Sequence, residues 1–459
     1  MRKTQLLIAL AAIGFAGSVY ATNGMNLEGY GPIATGMGGA SMAYDNGNAA
    51  TMNNPATLGL MRQGSRLDIA IGMLGPDVTS TCASAPCTGA TAASAGDAYY
   101  MPAVGWTRKN GALTYGVAML AQGGMGTDYD GTSFLAAGSG SPVRSELGVG
   151  RLIFPLAYDV SPNLSIGGSI DYVWAMMDLK MAASGAQLGS MVTAGSGTLF
   201  AALPGLAAAP WARIDFSDRS DYTGKAKATG LAGKIGFTYK VNPTLTIGGT
   251  YHSKTSLNDM ETSSSGSSMT AFGGFSDSGM ITVRDFQWPE TYGLGISVQA
   301  TPSLMIAADV KHIGWADVMQ SFRMSYTSAG SGPAGMCGPA TVCSGTVDFA
   351  MPQNWEDQTV YSLGLSYKLS SPLTVRMGVN ISDNPIPSST LNALFPAIEE
   401  AHYTVGLGYA LSDASDLNFA LSYASNVSQT NPGAAAPPTA AVAVDHSQTS
   451  WQLMYSKRF

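Results

Sequence analysis

Tyr361-Ser-Leu-Gly-Leu-Ser-Tyr-Lys-Leu-Ser-Ser-Pro-Leu373 reads as a strand, a tight turn and the start of the next strand. Tyr361, Leu363, Leu365 and Tyr367 share one face, while Ser362, Gly364, Ser366 and Lys368 share the other. Period two with one greasy and one small or polar face describes an extended chain between two unlike surroundings. Pro372 cannot donate to a β-ladder, so it marks the turn. Equivalent turns recur at Tyr158-Asp-Val-Ser-Pro-Asn-Leu164, Tyr239-Lys-Val-Asn-Pro-Thr-Leu245, Gln299-Ala-Thr-Pro-Ser-Leu304 and Tyr409-Ala-Leu-Ser-Asp-Ala-Ser-Asp-Leu417. Lys109-Asn110-Gly111 carries a favoured short-hairpin dipeptide. The flanking strands alternate too. Ile166, Ile170, Tyr172 and Trp174 oppose Ser165, Gly167, Ser169 and Asp171, and Tyr403, Val405, Leu407 and Tyr409 oppose His402, Thr404, Gly406 and Gly408.

These short turns alternate with long stretches at 181–221, 325–352 and 430–444. A soluble sandwich also alternates, but its connections are not so lopsided. Short turns at one end, long loops at the other and tyrosines at the turn end predict a transmembrane antiparallel β-barrel, an all-β fold. About fourteen strands are expected, 278–299 and 304–324 among them. Charged residues make up 12% of the 459, against roughly 25% in soluble domains. Hydrophobic content is 45%, yet beyond the N-terminus no apolar run reaches helix-spanning length. A net charge of −7 gives nucleic acid no footing. Arg2 and Lys3, the apolar run Leu6–Phe15 and Val19-Tyr20-Ala21 read as a signal peptide over 1–21. At the other end Trp451, Leu453, Tyr455 and Phe459 form an aromatic terminal strand, interrupted at Lys457. Phe459 is the expected signal to the barrel assembly machinery.

Fourteen strands enclose more space than wall side chains fill. Residues 22–64 do not alternate and are small and glycine-rich, as in Gly29-Tyr-Gly-Pro-Ile-Ala-Thr-Gly-Met-Gly-Gly-Ala40. The expected organisation is a signal peptide (1–21), an N-terminal luminal hatch or plug (22–64) and a barrel (65–459).

The chain resembles the FadL/TodX family of outer-membrane transporters for long-chain fatty acids and hydrocarbons. The markers, in order, are Gly36-Met-Gly-Gly-Ala40, Asn54-Pro55-Ala56, Tyr251-His-Ser-Lys-Thr255, Trp288-Pro-Glu-Thr-Tyr-Gly293, Ala308-Asp-Val-Lys311 and Asp383-Asn-Pro-Ile-Pro387 followed by His402-Tyr403. The resemblance implies a monomer in outer-membrane lipid and lipopolysaccharide. It further implies surface capture of a hydrophobic small molecule, an internal pocket, movement of the hatch and lateral exit at a kinked third strand. The matching stretch is Ala121-Gln-Gly-Gly-Met-Gly126, with Gly123, Gly124 and Gly126 as the kink. An ordinary strand end running into a flexible loop is the competing reading.

In loop 181–221, Leu188, Met191, Leu199, Phe200, Leu203, Leu206 and Trp211 read as a capture groove or as packing against a neighbouring loop. By parity Lys234, Lys254, Lys311 and Arg376 face inward as partners for a carboxylate or for luminal acids such as Asp309. Cys82 with Cys87 and Cys337 with Cys343 are local pairs without a neighbouring histidine, so disulfides are expected rather than zinc. His252, His312, His402 and His446 stand on separate strands or strand ends and in no nucleophile motif, so no catalytic residue, metal or cofactor is expected. The expected function is passive uptake of long-chain fatty acids, ahead of aromatic or alkane hydrocarbons. A general porin, or a surface receptor or adhesion protein, is the reading from a different class.

Overall fold

The computed structural model describes residues 23–217, 225–332, 337, 342–435, 438–439 and 441–459. The expected signal peptide lies outside them. The wall is a closed circuit: β1 (Gly64–Leu74), β2 (Tyr99–Asn110), β3 (Leu113–Tyr129), β4 (Val143–Asp159), β5 (Leu164–Ala183), β6 (Ala226–Lys240), β7 (Leu245–His252), β8 (Thr291–Thr301), β9 (Leu304–Ile313), β10 (Gln358–Lys368), β11 (Leu373–Ser382), β12 (Ala401–Ser412), β13 (Ser415–Asn431) and β14 (Val442–Arg458). Each pairs antiparallel with the next, and β14 returns to β1 with Arg66 opposite Arg458 and Met73 opposite Trp451. Closure gives every strand of the wall a neighbour on both sides.

Among the described residues the sheet, wall and connections together, holds twenty-four strands, where the sequence suggested about fourteen. The excess lies in the long connections, which keep pairing beyond the wall instead of running as loops. Stretch 278–299 divides into Phe275–Arg284 and β8, and stretch 304–324 into β9 and Ser321–Ser328. Phe275–Arg284 pairs with Ser321–Ser328, which pairs with Thr346–Pro352. Pro76–Cys82 pairs with the start of β14. Backbone polar groups that are not solvated must be paired, so alternating sequence beyond the wall builds further ladder. Both cysteine pairs in these connections, Cys82–Cys87 and Cys337–Cys343, are disulfides.

Alternation sets the two faces. Ile170, Ile235, Leu294 and Tyr361 stand exposed on the outside, while Asp171, Lys234, Asp309 and Asn380 are buried on the inside. Tyr158, Tyr239 and Tyr409, close to the short turns, are also exposed, as an aromatic belt would be.

Residues 23–61 run through the barrel interior, almost all buried, as helix α1 (Pro32–Thr35) and 3-10 turns at Gly47–Thr51 and Pro55–Leu60. Glycines on both surfaces permit this close passage. Gly38, at φ +66°, lies against the wall so tightly that a Cβ would sit 2.5 Å from the Val379 nitrogen. At Gly378 a Cβ would sit 2.1 Å from the Gly38 nitrogen. Beyond this segment lies a large buried apolar cluster. Trp288, Trp315 and Trp355 stack edge to face at 5.6 and 5.2 Å, with Phe286, Phe322, Phe349 and Phe395 buried nearby.

Candidate functional site: the wall break and the luminal segment

The ladder between β2 and β3 runs from Asn110 opposite Leu113 to Val104 opposite Met119, and stops there. Tyr99–Ala103 keep their pairing with β1, and the rest of β3 keeps its pairing with β4. Contact across the gap resumes where the Ala95 amide donates to the Asp128 carbonyl at 2.7 Å. On β3 the register against β4 shifts between Ala121 and Gly123, so Gln122 is a bulge residue. A bulge bends and twists its strand, which turns β3 away from β2. Unladdered backbone at membrane depth is tolerated where it lines a protein cavity. Such a cavity lies here, lined by Leu27, Tyr30, Met101, Ala103, Leu120 and Ala121 among others.

The N-terminal residues stop this break from inside. Asn26 bridges Gly123 in antiparallel fashion, and the Gly124 amide donates to the Met25 carbonyl at 3.1 Å. The Tyr30 hydroxyl donates to the Gln122 carbonyl at 2.7 Å, and Trp288 Nε1 donates to Asn26 Oδ1 at 2.8 Å. Gly123 has to be glycine for this contact, since a Cβ would lie 2.1 Å from the Met25 oxygen.

Further along, wall side chains hold the segment by its backbone. Asp309 accepts from the amides of Ser41 (2.6 Å) and Met42 (3.1 Å). Asp68 accepts from the Asn48 amide at 2.7 Å, and Asn48 Nδ2 donates to the Gly105 carbonyl at 2.6 Å. Asn54 caps the Pro55–Leu60 turn by accepting from the Ala56 amide, and its Nδ2 donates to the carbonyls of Met42 and, on β6, Phe237. Asn54, Pro55 and Ala56 thus act as one unit: a cap, a preset φ, and a residue small enough to lie against Gly167. Arg66 grips Asp45 with both guanidinium nitrogens at 2.6 and 2.7 Å. Burial pushes the Asp45 carboxyl up, but the Arg66 charge overcomes this and holds it below the usual carboxylate range.

A family model described as outer membrane protein transport protein (OMPP1/FadL/TodX) matches residues 8–459. The chain belongs to the OMPP1/FadL/TodX family. It is therefore an outer-membrane channel for hydrophobic compounds, not an enzyme. Among solved structures it is similar to the P. putida toluene transporter TodX, with 28% identity, a TM-score of 0.79, and coverage of 95% of this chain and 99% of that one. The Ralstonia pickettii toluene transporter TbuX shows 30% identity and a TM-score of 0.75 over 95% and 99%. A Pseudomonas aeruginosa FadL homologue shares the fold at 14% identity, with a TM-score of 0.72 over 95% and 100%. A Chlorobium limicola protein, described as uncharacterized and in the phosphoenolpyruvate carboxykinase gene 5' region, is 51% identical over 81 residues. That match spans 17% of this chain and 40% of the length of that relative.

In this OMPP1/FadL/TodX channel the inward cations are already engaged. Lys234 and Arg151 both pair with Asp171, the latter at 2.8 Å, in a triad whose side chains are at most 1% exposed. Arg151 Nε also donates to Gln122 Oε1 at 2.6 Å, which ties the triad to the bulge. Lys311 donates to the carbonyls of Glu28 (3.3 Å) and Gly39 (3.2 Å), and Arg376 donates to Asn418 at 3.1 Å. Lys254, read as inward, lies past the end of β7 at His252 and is exposed, because parity lapses where the strand ends. Arg151 escaped the sequence reading; its only signal was an inward parity on β4.

The described part of the 181–221 stretch, 181–217, includes α2 (Gly185–Ser190), held by a Ser184/Gln187 capping box, and α3 (Gly197–Leu206). Leu188 and Leu199 are buried beneath the two helices. Met191, Leu203 and Leu206 are half-buried against the same cluster, and Trp211 packs edge-on against Phe272 at 6.5 Å. Phe200 remains 40% exposed. Among the described residues no group of His, Cys, Asp or Glu could hold a metal ion.

Proposed function

We propose that this channel passes neutral monoaromatic hydrocarbons passively, ahead of long-chain fatty acids. Hydrophobic molecules partition onto the surface around Phe200, Leu203 and Leu206 and enter the apolar interior. They leave sideways between β2 and β3 when Met25 and Asn26 withdraw from Gly123 and Gly124, so that residues 22–64 act as a hatch. The observation carrying this reading is the β2–β3 break, backed by an apolar cavity and stopped from inside by the N-terminal residues. Cargo leaving there meets lipid and never needs solvation as a free solute.

The order of substrates reverses the expectation from sequence. A carboxylate needs an available cation, but Lys234 is paired with Asp171, Lys311 and Arg376 donate to carbonyl and amide oxygens, and Lys254 is exposed past the end of β7. TodX and TbuX, each described as a toluene transporter, support the same order. The test is uptake of labelled toluene and labelled oleate by cells with and without the protein. Toluene is expected to enter faster with the protein and oleate to gain less. Faster oleate than toluene uptake restores the fatty-acid reading, and no gain for either overturns the transport reading. The filled interior also predicts no steady ion conductance in planar bilayers, which a general porin would show.

A further inference from the structure

We propose that the luminal cavity above the wall break binds hydroxyl-bearing hydrophobic molecules of the phenol class, with His402 reading the hydroxyl. This inference rests on the transport reading and narrows its substrate class.

His402 lies on the inner face of β12, 2% exposed, and neither ring nitrogen has a hydrogen-bond partner among the described residues. A buried imidazole left this way loses its water hydrogen bonds without replacement. The side chain lines a cavity bordered by Met25, Leu27, Leu74, Val78, Met125 and Ala397, so the space beside it is mainly apolar. The same cavity reaches Tyr99, Gly124 and Gly126 at the break, which puts it on the proposed route.

The other polar groups around this cavity indicate what it accepts. His446 Nδ1 donates to the Pro396 carbonyl at 2.7 Å, and its Nε2 lies 3.5 Å from Glu399. Glu28 and Glu399 both border the space. Burial, and then the charge of Glu28, pushes the Glu399 carboxyl well above the usual carboxylate range. No lysine or arginine borders the space among the described residues, so an incoming carboxylate would bring an uncompensated charge into a low-dielectric site. A plain hydrocarbon leaves both His402 nitrogens unmet. A neutral imidazole offers one donor and one acceptor, and a hydroxyl offers the complementary pair.

The experiment is calorimetric titration of the detergent-purified full chain with three ligands of like size: p-cresol, toluene and 4-methylbenzoate. Cresol is expected to bind roughly tenfold tighter than toluene, the size of one neutral hydrogen bond recovered from burial, and 4-methylbenzoate more weakly than cresol. In His402→Leu the cresol-to-toluene ratio should fall toward one. His402→Gln keeps a donor and an acceptor and should retain part of the preference, which guards against a variant that merely folds badly. Equal binding of cresol and toluene by the native protein, or an unchanged ratio in His402→Leu, overturns the proposal. Benzoate binding tighter than cresol overturns it as well. If toluene uptake by cells persists in any of these cases, only this inference falls; if toluene uptake is absent, the transport reading fails first.

Discussion

Asp171 and Asp309 both face inward, and they do different work. Asp171 neutralises two buried cations, Arg151 and Lys234. Asp171→Ala leaves both charges uncompensated, a loss of about 3–5 kcal/mol. A lower temperature for the heat-induced mobility shift on gels is the expected readout; an unchanged shift would mean the triad contributes little. Asp309 instead receives the Ser41 and Met42 amides. Its removal leaves two buried donors unmet, a local loss of about 1–3 kcal/mol per donor. Asp309→Ala is therefore expected to leave the barrel folded while residues 23–61 become cleavable by added protease. Resistance equal to that of the native chain would show that the other anchors suffice.

At the scale of elements, β3 and the N-terminal segment meet at one bulge. Deleting Gln122 removes the extra residue that bends β3, so its ladder with β2 can continue past Val104 and Met119. Toluene uptake is then expected to fall toward that of cells lacking the protein, at normal yield of folded barrel. Uptake at the native rate would place the exit elsewhere. Deleting residues 23–28 makes the complementary change, since it removes the Asn26 bridge to Gly123 and the Gln122 contact loosens with it. Planar bilayers should then show a steady conductance that the intact chain lacks.

For the whole molecule, the two ends of the barrel zip together: Ser65 and Phe459 exchange backbone hydrogen bonds at 2.9 and 3.1 Å. The Phe459 side chain is 70% exposed, available to a partner during assembly and contributing little packing. Deleting it should lower the amount of folded protein in the outer membrane, whereas a purified folded barrel should melt almost as before. The disulfides join cysteines only five and six positions apart, so reducing them should leave the barrel intact. The sequence by itself determined the wall: which face of each strand meets lipid, where the short turns fall, that the cysteines pair locally, and that residues 22–64 are no part of the alternation. Those features follow from period two and turn chemistry, which act over a few residues. Only the tertiary structure decided how Lys311 and Asp309 are used, that Lys254 is exposed past the end of β7, that the long connections pair into further strands, and that the β2–β3 ladder breaks. Ser41 and Asp309 are 268 residues apart, and glycine fits against glycine at Gly38 and Gly378. Contacts of that kind depend on barrel closure, which brings distant inner faces around one enclosed volume and leaves no local pattern in the chain.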